Sequence, residues 1–181
     1  MPDKKTYLIL NEDAMRQAIE NMAKEIIIKH KRNLHMVVFI GIVSRGLPLA
    51  ERIKRIILEE TGTTIPIGKL DVSLYRDDLT TKGQFITIKA SDIPFDLTEK
   101  HVILIDDVLF QGRTIRAGLN ALLDYGRPRS ISLSVLIDRG HRELPIEANF
   151  VGQKIETRKT DHIAVNLYES DGEESVILGE K

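Results

Sequence analysis

The chain has 181 residues, of which 42% are apolar and 29% are charged, values typical of a soluble globular protein. We therefore expect one domain that spans residues 1–181. The formal net charge of −1 gives the whole molecule no general attraction for a polyanion. The chain contains no cysteine, which excludes disulfides, zinc–thiolate centres and a thiol nucleophile.

The N-terminal part of the sequence predicts neither a targeting segment nor a membrane anchor. The apolar stretch Tyr7–Leu10 stops at Asn11, so it is too short for the core of a signal peptide. The longest apolar run, Met36–Val43, is far shorter than the roughly 20 residues that cross a bilayer. We therefore expect a cytoplasmic protein with no membrane partner.

Helix and strand patterns alternate along the first third of the chain. Asn11 is a favourable N-cap, and apolar residues at helical spacing then predict an amphipathic helix to about Lys29. The segment MVVFIGI, residues 36–42, is apolar on both faces, which is typical of a central parallel strand. Pro48 suits the first turn of a second helix, which ends before Gly62.

The rest of the chain continues this alternation. Apolar and polar residues alternate over 70–75, which predicts a strand, and residues 76–96 then lose periodicity, as a functional flap or a disordered segment would. A helix over 113–125 separates two buried strands at 102–105 and 131–137. Shorter strands are predicted at 148–151, 163–167 and 175–178. This order predicts an α/β fold with a parallel sheet and helices on both faces.

The most informative segment is VILIDDVLFQGRT, residues 102–114. In an open parallel sheet ligands bind beyond the carboxyl ends of the strands, where Asp106 and Asp107 stand. Gly112 permits close backbone approach just before a helix, so N–H groups and the Thr114 hydroxyl can converge on an anion. The carboxylates can accept hydrogen bonds from vicinal hydroxyls and stand near a developing cation. The alternative is that the aspartates cap a helix and Gly112 serves a turn.

This segment resembles the signature of the type I phosphoribosyltransferases, which bind 5-phosphoribosyl 1-diphosphate (PRPP). The resemblance implies a central, mostly parallel sheet flanked by helices, with a small hood and a flexible flap. It also implies that Asp106 and Asp107 bind the ribose hydroxyls and that the following loop wraps the 5-phosphate. The loop residues assigned to PRPP in this way are Val108, Leu109, Phe110, Gln111, Gly112, Arg113 and Thr114.

Gln111 is where the chain departs from this signature. Most members of the family carry a threonine there, and its hydroxyl contacts the phosphate. Backbone donors remain, so we expect weakened rather than abolished binding, since a lost neutral hydrogen bond costs about 0.5–1.5 kcal/mol.

Two further segments gain a role from the resemblance. Ser44, Arg45 and Gly46 follow the first buried strand and resemble the family's pyrophosphate loop, in which a guanidinium would neutralise the leaving diphosphate. The alternative is an ordinary strand–helix turn with a surface arginine. A second segment resembles the mobile flap that closes over the reacting centre, and its alternative is a solvated charged hairpin. The flap residues are Tyr75, Arg76, Asp77 and Asp78.

Three segments together narrow the family. SLYRDD (73–78), DDVLFQGRT (106–114) and DRGHRELP (138–145), in this order and spacing, resemble the pyrimidine operon regulators that double as uracil phosphoribosyltransferases. The resemblance runs from about residue 11 to residue 167. It implies that uracil and PRPP give UMP and diphosphate, with Mg²⁺ held mainly through the substrate. The residues implied to contact the base are Asp138, Arg139, Gly140 and His141.

The resemblance assigns catalytic roles to Asp106, Asp107, Arg45 and His141. The expected transition state is oxocarbenium-like, so stabilisation means neutralising the diphosphate, the task of Arg45, and holding both partners in line. His141 is a candidate for assisting the uracil N–H. The alternative is that it is a structural or exposed histidine.

Relatives in this family bind an RNA hairpin when UMP is present and so end transcription of pyrimidine genes. The candidate RNA-binding cations of this chain are Lys24, Arg142, Lys154 and Arg158. Against RNA binding, Glu20 and Asn21 stand where RNA-binding relatives carry threonine and arginine, and Glu147 replaces an expected arginine. Carboxylates repel a phosphate backbone, so the sequence favours catalysis over RNA regulation.

Three functions therefore stay open. The leading one is a uracil phosphoribosyltransferase. The others are a UMP-dependent RNA-binding attenuator with weak or no catalysis, and a purine phosphoribosyltransferase, which shares the phosphate loop but not DRGHRELP. The apolar first helix and the family both suggest a homodimer or a higher oligomer.

Overall fold

A computed structural model describes residues 5–75 and 91–180. It contains a five-stranded sheet, a smaller three-stranded sheet and helices that pack on both faces of the larger one. The strands of the larger sheet are β2 (Val37–Ile42), β3 (Ile67–Leu70), β4 (His101–Leu109), β5 (Ser130–Asp138) and β6 (Phe150–Lys154). Their order in the sheet is β3-β2-β4-β5-β6, and all neighbouring strands are parallel.

The three long helices cover both faces of this sheet, as the alternation of strands and helices predicts. Helices α1 (Glu12–Lys29) and α2 (Gly46–Thr61) bury apolar side chains against one face, in a core cluster that includes Phe39. Helix α3 (Arg113–Leu122) packs on the opposite face, in a second cluster that includes Ile40. Burial on both faces explains why every residue of β2 is buried and apolar or glycine.

A second, antiparallel sheet joins the two ends of the chain. Strand β1 (Thr6–Leu10) and strand β7 (His162–Asn166) flank strand β8 (Ser175–Gly179). The short helix α4 (Tyr168–Asp171) connects β7 to β8. Apolar residues of all three strands enter the same core cluster as α1 and α2. This sheet fits the predicted small hood. Among the described residues, no helix is long and apolar enough to cross a membrane.

Local structure differs from the sequence prediction in three places. The strand predicted over residues 70–75 is wrong, because β3 ends at Leu70 and a 3-10 turn spans Ser73–Tyr75. Asp71 closes this turn, since its Oδ1 accepts hydrogen bonds from the Ser73 N–H (2.9 Å) and hydroxyl (2.6 Å). The helix predicted to residue 125 ends at 122 and continues as a 3-10 turn. Strand β1 was not predicted, because five residues carry little periodicity.

Candidate active site

The start of helix α2 touches strand β4 of the larger sheet. A Cβ added to Gly46 would lie 2.2 Å from the Ile105 carbonyl oxygen, a distance that no side chain can occupy. The first residue of α2, which directly follows Arg45, therefore lies against β4 at the residue before Asp106, where the predicted ribose site begins. A Cβ at Gly41 would likewise lie 2.5 Å from the Leu47 Cα, so β2 and α2 also approach closely. Both glycines are required by close approach of backbones.

The two aspartates lie within β4 rather than in the loop after it. Asp106 is buried and is aligned with Val135 of β5. Each carboxylate accepts a hydrogen bond from the next backbone N–H: Asp106 Oδ1 from Asp107 (3.0 Å) and Asp107 Oδ1 from Val108 (2.8 Å). Neighbouring strands thus hold both side chains at a rigid part of the fold.

Burial raises the pKa of the Asp107 carboxyl, because desolvation penalises its charged form. The hydrogen bond from the Val108 N–H and the positive charge of Arg45 act in the opposite direction. Arg45 immediately precedes α2, so its positive charge lies near enough to act on the Asp107 carboxyl of β4.

Arg45 is held by a residue that the sequence did not indicate. Its Nη2 and Nε donate to the two carboxylate oxygens of Asp171, at 2.8 and 3.3 Å. Asp171 ends helix α4 of the hood, and its Oδ2 also accepts the Leu167 N–H at 2.9 Å. The Leu167 N–H and the Arg45 guanidinium together lower the pKa of Asp171. The peptide bond between Val43 and Ser44, just before Arg45, is cis.

The predicted phosphate loop encloses a small cavity of about 120 Å³, lined by residues 108–115. Gly112 adopts a φ of 90° immediately before α3 begins, a conformation that favours glycine. N–H groups in the first turn of a helix have no partner within the helix, so the cavity offers backbone donors and the positive end of a dipole. Residues Val108 to Thr114 are therefore brought together as a cradle suited to an anion.

Gln111 and Arg113 are both tied to Glu143. The Gln111 amide donates to Glu143 Oε1 (2.6 Å), and Arg113 donates to Glu143 Oε2 through Nε (3.0 Å) and Nη2 (2.8 Å). The Arg113 guanidinium, with a smaller contribution from Lys159, lowers the pKa of the Glu143 carboxyl. Glu143 was not identified from the sequence, and its position within DRGHRELP was the one available signal.

The segment after β5 packs against the cradle. Arg139 is buried, and its guanidinium lies 4.1 Å from the centre of the Phe110 ring. Its Nη2 donates to the Arg158 carbonyl at 2.9 Å and its Nε to Thr157 Oγ1 at 3.3 Å. Much of the donor capacity of Arg139 is thus already used inside the protein. Contact of Arg139 with a base stays a prediction.

His141 has one ring nitrogen engaged. Its Nε2 lies 2.6 Å from the Thr157 carbonyl oxygen, which can only accept, so Nε2 carries a proton. In the neutral ring Nδ1 is then the acceptor. The neighbouring turn is closed by Asp138, whose Oδ1 accepts the Gly140 N–H at 3.0 Å. A cavity of about 830 Å³ opens beside this turn and is lined in part by Asp138 and Gly140.

The four candidate RNA-binding cations differ in availability. Arg142 donates to the carbonyl oxygens of Phe110 (2.9 Å), Gly140 (3.0 Å) and Ile146 (3.0 Å) and pairs with Asp138 at 2.6 Å. Arg158 is exposed but pairs with two carboxylates, those of Asp161 (3.2 Å) and Glu180 (2.7 Å). Lys24 on α1 and Lys154 at the end of β6 are exposed.

The remaining predicted residues are only partly within the described chain. Tyr75 donates its hydroxyl to Asp124 at 2.5 Å, whereas the predicted flap residues Arg76, Asp77 and Asp78 lie outside the described residues. Within residues 5–75 and 91–180, no group of three or more histidine and acidic side chains is arranged to hold a metal ion.

Known proteins resemble this chain in sequence and in fold. The phosphoribosyl transferase domain family matches residues 8–178. A "Bifunctional protein PyrR" of Chloroflexus aurantiacus is 51% identical over 172 residues, which cover 94% of this chain and 93% of that protein. A protein of the same name from Thermus aquaticus is 49% identical over 173 residues, which cover 96% of this chain and 95% of that protein.

Two solved structures of similar fold are purine enzymes by name. A hypoxanthine phosphoribosyl transferase of Trypanosoma cruzi gives a TM-score of 0.75 at 19% identity and covers 100% of this chain and 94% of that one. A hypoxanthine-guanine phosphoribosyltransferase of Bacillus anthracis gives a TM-score of 0.72 at 17% identity, covering 99% and 100%. At such low identity these structures establish the shared fold alone.

Proposed function

Because this chain belongs to the phosphoribosyltransferase family, and within it to the bifunctional PyrR proteins, we propose that it is a uracil phosphoribosyltransferase. It transfers a phosphoribosyl group from PRPP to uracil and so forms UMP and diphosphate. The observation that carries this proposal is the contact between Gly46 and Ile105, which joins the Arg45 loop to the aspartates and the phosphate cradle.

The charge of each group determines its role in the reaction. Asp106 and Asp107 accept hydrogen bonds from the two ribose hydroxyls and lie near the cationic carbon of an oxocarbenium-like transition state. Arg45 faces the departing diphosphate and stabilises its charge. The cradle at 108–115 binds the 5-phosphate, which anchors the sugar so that uracil and diphosphate stay in line.

We propose that His141 accepts the uracil proton at Nδ1. The support is the Nε2 contact with the Thr157 carbonyl, which leaves Nδ1 as the acceptor of a neutral ring. Asp138, Arg139 and Gly140 shape the neighbouring base site.

Mg²⁺ would enter mainly with the diphosphate, whose oxygen atoms are the ligands that this ion prefers. Asp106 and Asp107 are the described carboxylates placed to complete such a shell. When bound, the ion neutralises charge on the leaving group.

Formation of UMP from uracil and PRPP tests the proposal directly. Purified protein should release diphosphate only when uracil and Mg²⁺ are both present. The double variant Asp106→Asn with Asp107→Asn should abolish turnover while its thermal unfolding stays cooperative. Wild-type turnover in that variant would reject the roles of the carboxylates. Absence of UMP with the wild-type protein would reject the activity, and turnover with hypoxanthine in place of uracil would favour a purine enzyme.

A second function, UMP-dependent binding of a leader mRNA hairpin, is favoured by the exposed Lys24 and Lys154 and by the "bifunctional" name of the relatives. Arg142 and Arg158 already form ion pairs with carboxylates of this chain, which weighs against strong binding of RNA. A gel shift with leader RNA, with and without UMP, on the preparation used for the enzyme assay separates the two functions.

We also propose that the protein is a cytoplasmic homo-oligomer. The support for an oligomer is the exposure of several large apolar side chains, among them Ile28 (74%) on α1 and Leu8 (64%) on β1. Light scattering after gel filtration measures the oligomeric state, and a monomeric mass would contradict it.

A further inference from the structure

Three successive carbonyl groups of the phosphate loop point to one segment. The Leu109 oxygen accepts the Arg139 N–H (3.1 Å), and the Gln111 oxygen accepts the Glu143 N–H (3.1 Å). The Phe110 oxygen between them accepts the Arg142 guanidinium at 2.9 Å. In a trans peptide the N–H points away from the carbonyl, so the N–H groups of residues 110–112 face the opposite side. Successive N–H groups on one side form a concave anion site.

Glu143 contacts this loop through both its backbone and its side chain. Besides the N–H contact with Gln111, its two carboxylate oxygens accept the Gln111 amide and the Arg113 guanidinium. Lys159 approaches Oε1 at 3.4 Å from a third segment of the chain. One carboxylate thus links the phosphate loop, the segment after β5 and the loop after β6.

We propose that Glu143 is a positioning residue for the 5-phosphate site. It fixes the side chains of Gln111 and Arg113, two residues of the cradle, and thereby keeps the N–H groups of the loop convergent. This inference rests on the proposed function only in that the cradle binds the phosphate monoester of a ribose. Gln111 stands where the family has a threonine. Its side-chain amide then donates to Glu143, whereas the threonine hydroxyl would contact the phosphate.

Electrostatics alone predicts the opposite effect of removing Glu143. A carboxylate near a phosphate site repels the ligand, so its loss would tighten binding if charge were its main effect. If positioning dominates, its loss loosens the loop and weakens binding. The contacts of Glu143 are at the surface, where such pairs contribute up to about 1 kcal/mol, so we expect a change of roughly two- to fivefold.

Calorimetric binding of ribose 5-phosphate tests the proposal without any turnover. Glu143→Ala should raise the dissociation constant about two- to fivefold, and Glu143→Gln, which keeps one acceptor oxygen, should raise it less. The control is Glu147→Ala, which removes another exposed carboxylate four positions along the same segment and should bind as wild type does. Thermal unfolding without ligand verifies that each variant is folded.

Coupling to the two partners distinguishes positioning from a general structural role. In the background Gln111→Ala with Arg113→Ala, the further change Glu143→Ala should have no effect on ribose 5-phosphate binding. Unchanged or tighter binding by Glu143→Ala in the wild-type background would overturn the proposal, as would full additivity with the partner substitutions. Failure of uracil turnover alone would refute the enzymatic activity and leave this result intact.

Discussion

At the scale of single residues, Asp107 sets an expected pH dependence. Its pKa is raised, chiefly by burial, above the ordinary aspartate value of about 3.9. The ribose hydroxyls need the ionised form, so kcat/KM for PRPP should fall as the pH decreases through this raised pKa and be constant above it. A pH profile of the wild-type enzyme measures this limb, and Asp107→Asn should lack it. A limb that persists in Asp107→Asn would assign it to another group.

In the mechanism proposed above, Asp171 competes with diphosphate for the Arg45 guanidinium. Its carboxylate occupies two of the donors that the leaving group needs and carries the same sign of charge. Asp171→Asn should therefore lower the product-inhibition constant of diphosphate about three- to fivefold, the range for an exposed pair. The matched control is Glu173→Gln in the same turn, whose carboxylate accepts the Asn166 amide instead. Weaker inhibition by diphosphate in Asp171→Asn would contradict this prediction and show that Asp171 orients the Arg45 guanidinium toward diphosphate.

At the scale of elements, the approach of α2 to β4 depends on Gly46. A methyl group there would overlap the Ile105 carbonyl, so Gly46→Ala should lower the free energy of unfolding by about 1–3 kcal/mol and raise the KM for PRPP. Gly62→Ala is the control, because Gly62 has a φ of 70° with open space around it. It should cost about 1 kcal/mol of stability and leave the KM unchanged. An unchanged KM in Gly46→Ala would show that the loop tolerates displacement.

The end of α1 makes stability sensitive to acid. His30 is buried, and its Nε2 has no hydrogen-bond partner among the described residues. Burial, followed by the neighbouring His101 and Lys29, lowers the pKa of His30. The unfolded chain then binds the proton more readily, with a pKa of about 6.5. His30 therefore contributes stability above that pH, and the contribution is lost as the pH falls toward the lowered pKa.

Melting temperatures between pH 8 and pH 5.5 measure this effect. Wild type should lose stability across that window, and His30→Gln should lose less, because the glutamine does not titrate. Equal slopes for the two proteins would exclude His30 as the cause.

At the scale of the whole molecule, the net charge of −1 leaves RNA affinity to local surface charge. Glu147 is exposed beside the cavity that Arg142 and Lys154 also line. Glu147→Arg should tighten binding of leader RNA and steepen the salt dependence by a slope of about 1. Glu60→Arg, the same charge change at the exposed end of α2, should have no comparable effect. Equal gains in both variants would indicate only a response to net charge.

The parts of the fold that the sequence predicted are those with strong local patterns. The both-face burial of β2 and β4 appears as continuous apolar runs, and the amphipathic α1 appears as helical spacing after a capping Asn11, whose Oδ1 accepts the Ala14 N–H. The conformation of the loop that we propose as the phosphate site was also predictable, because Gly112 and the helix after it are adjacent in sequence. The residues that determine the conformation of this loop are also the ones that carry its chemistry.

By itself, then, the sequence determined the α/β alternation, the family and the loop that forms the cradle, because each depends on residues close together along the chain. Only the tertiary structure decided which distant side chains meet. Asp171 contacts Arg45, which is 126 positions away in the sequence, and Glu143 contacts Gln111, which is 32 positions away. Neither pairing produces a periodic pattern in the sequence. Such contacts depend on how the hood and the segment after β5 pack against the sheet, and long-range packing has no local signature.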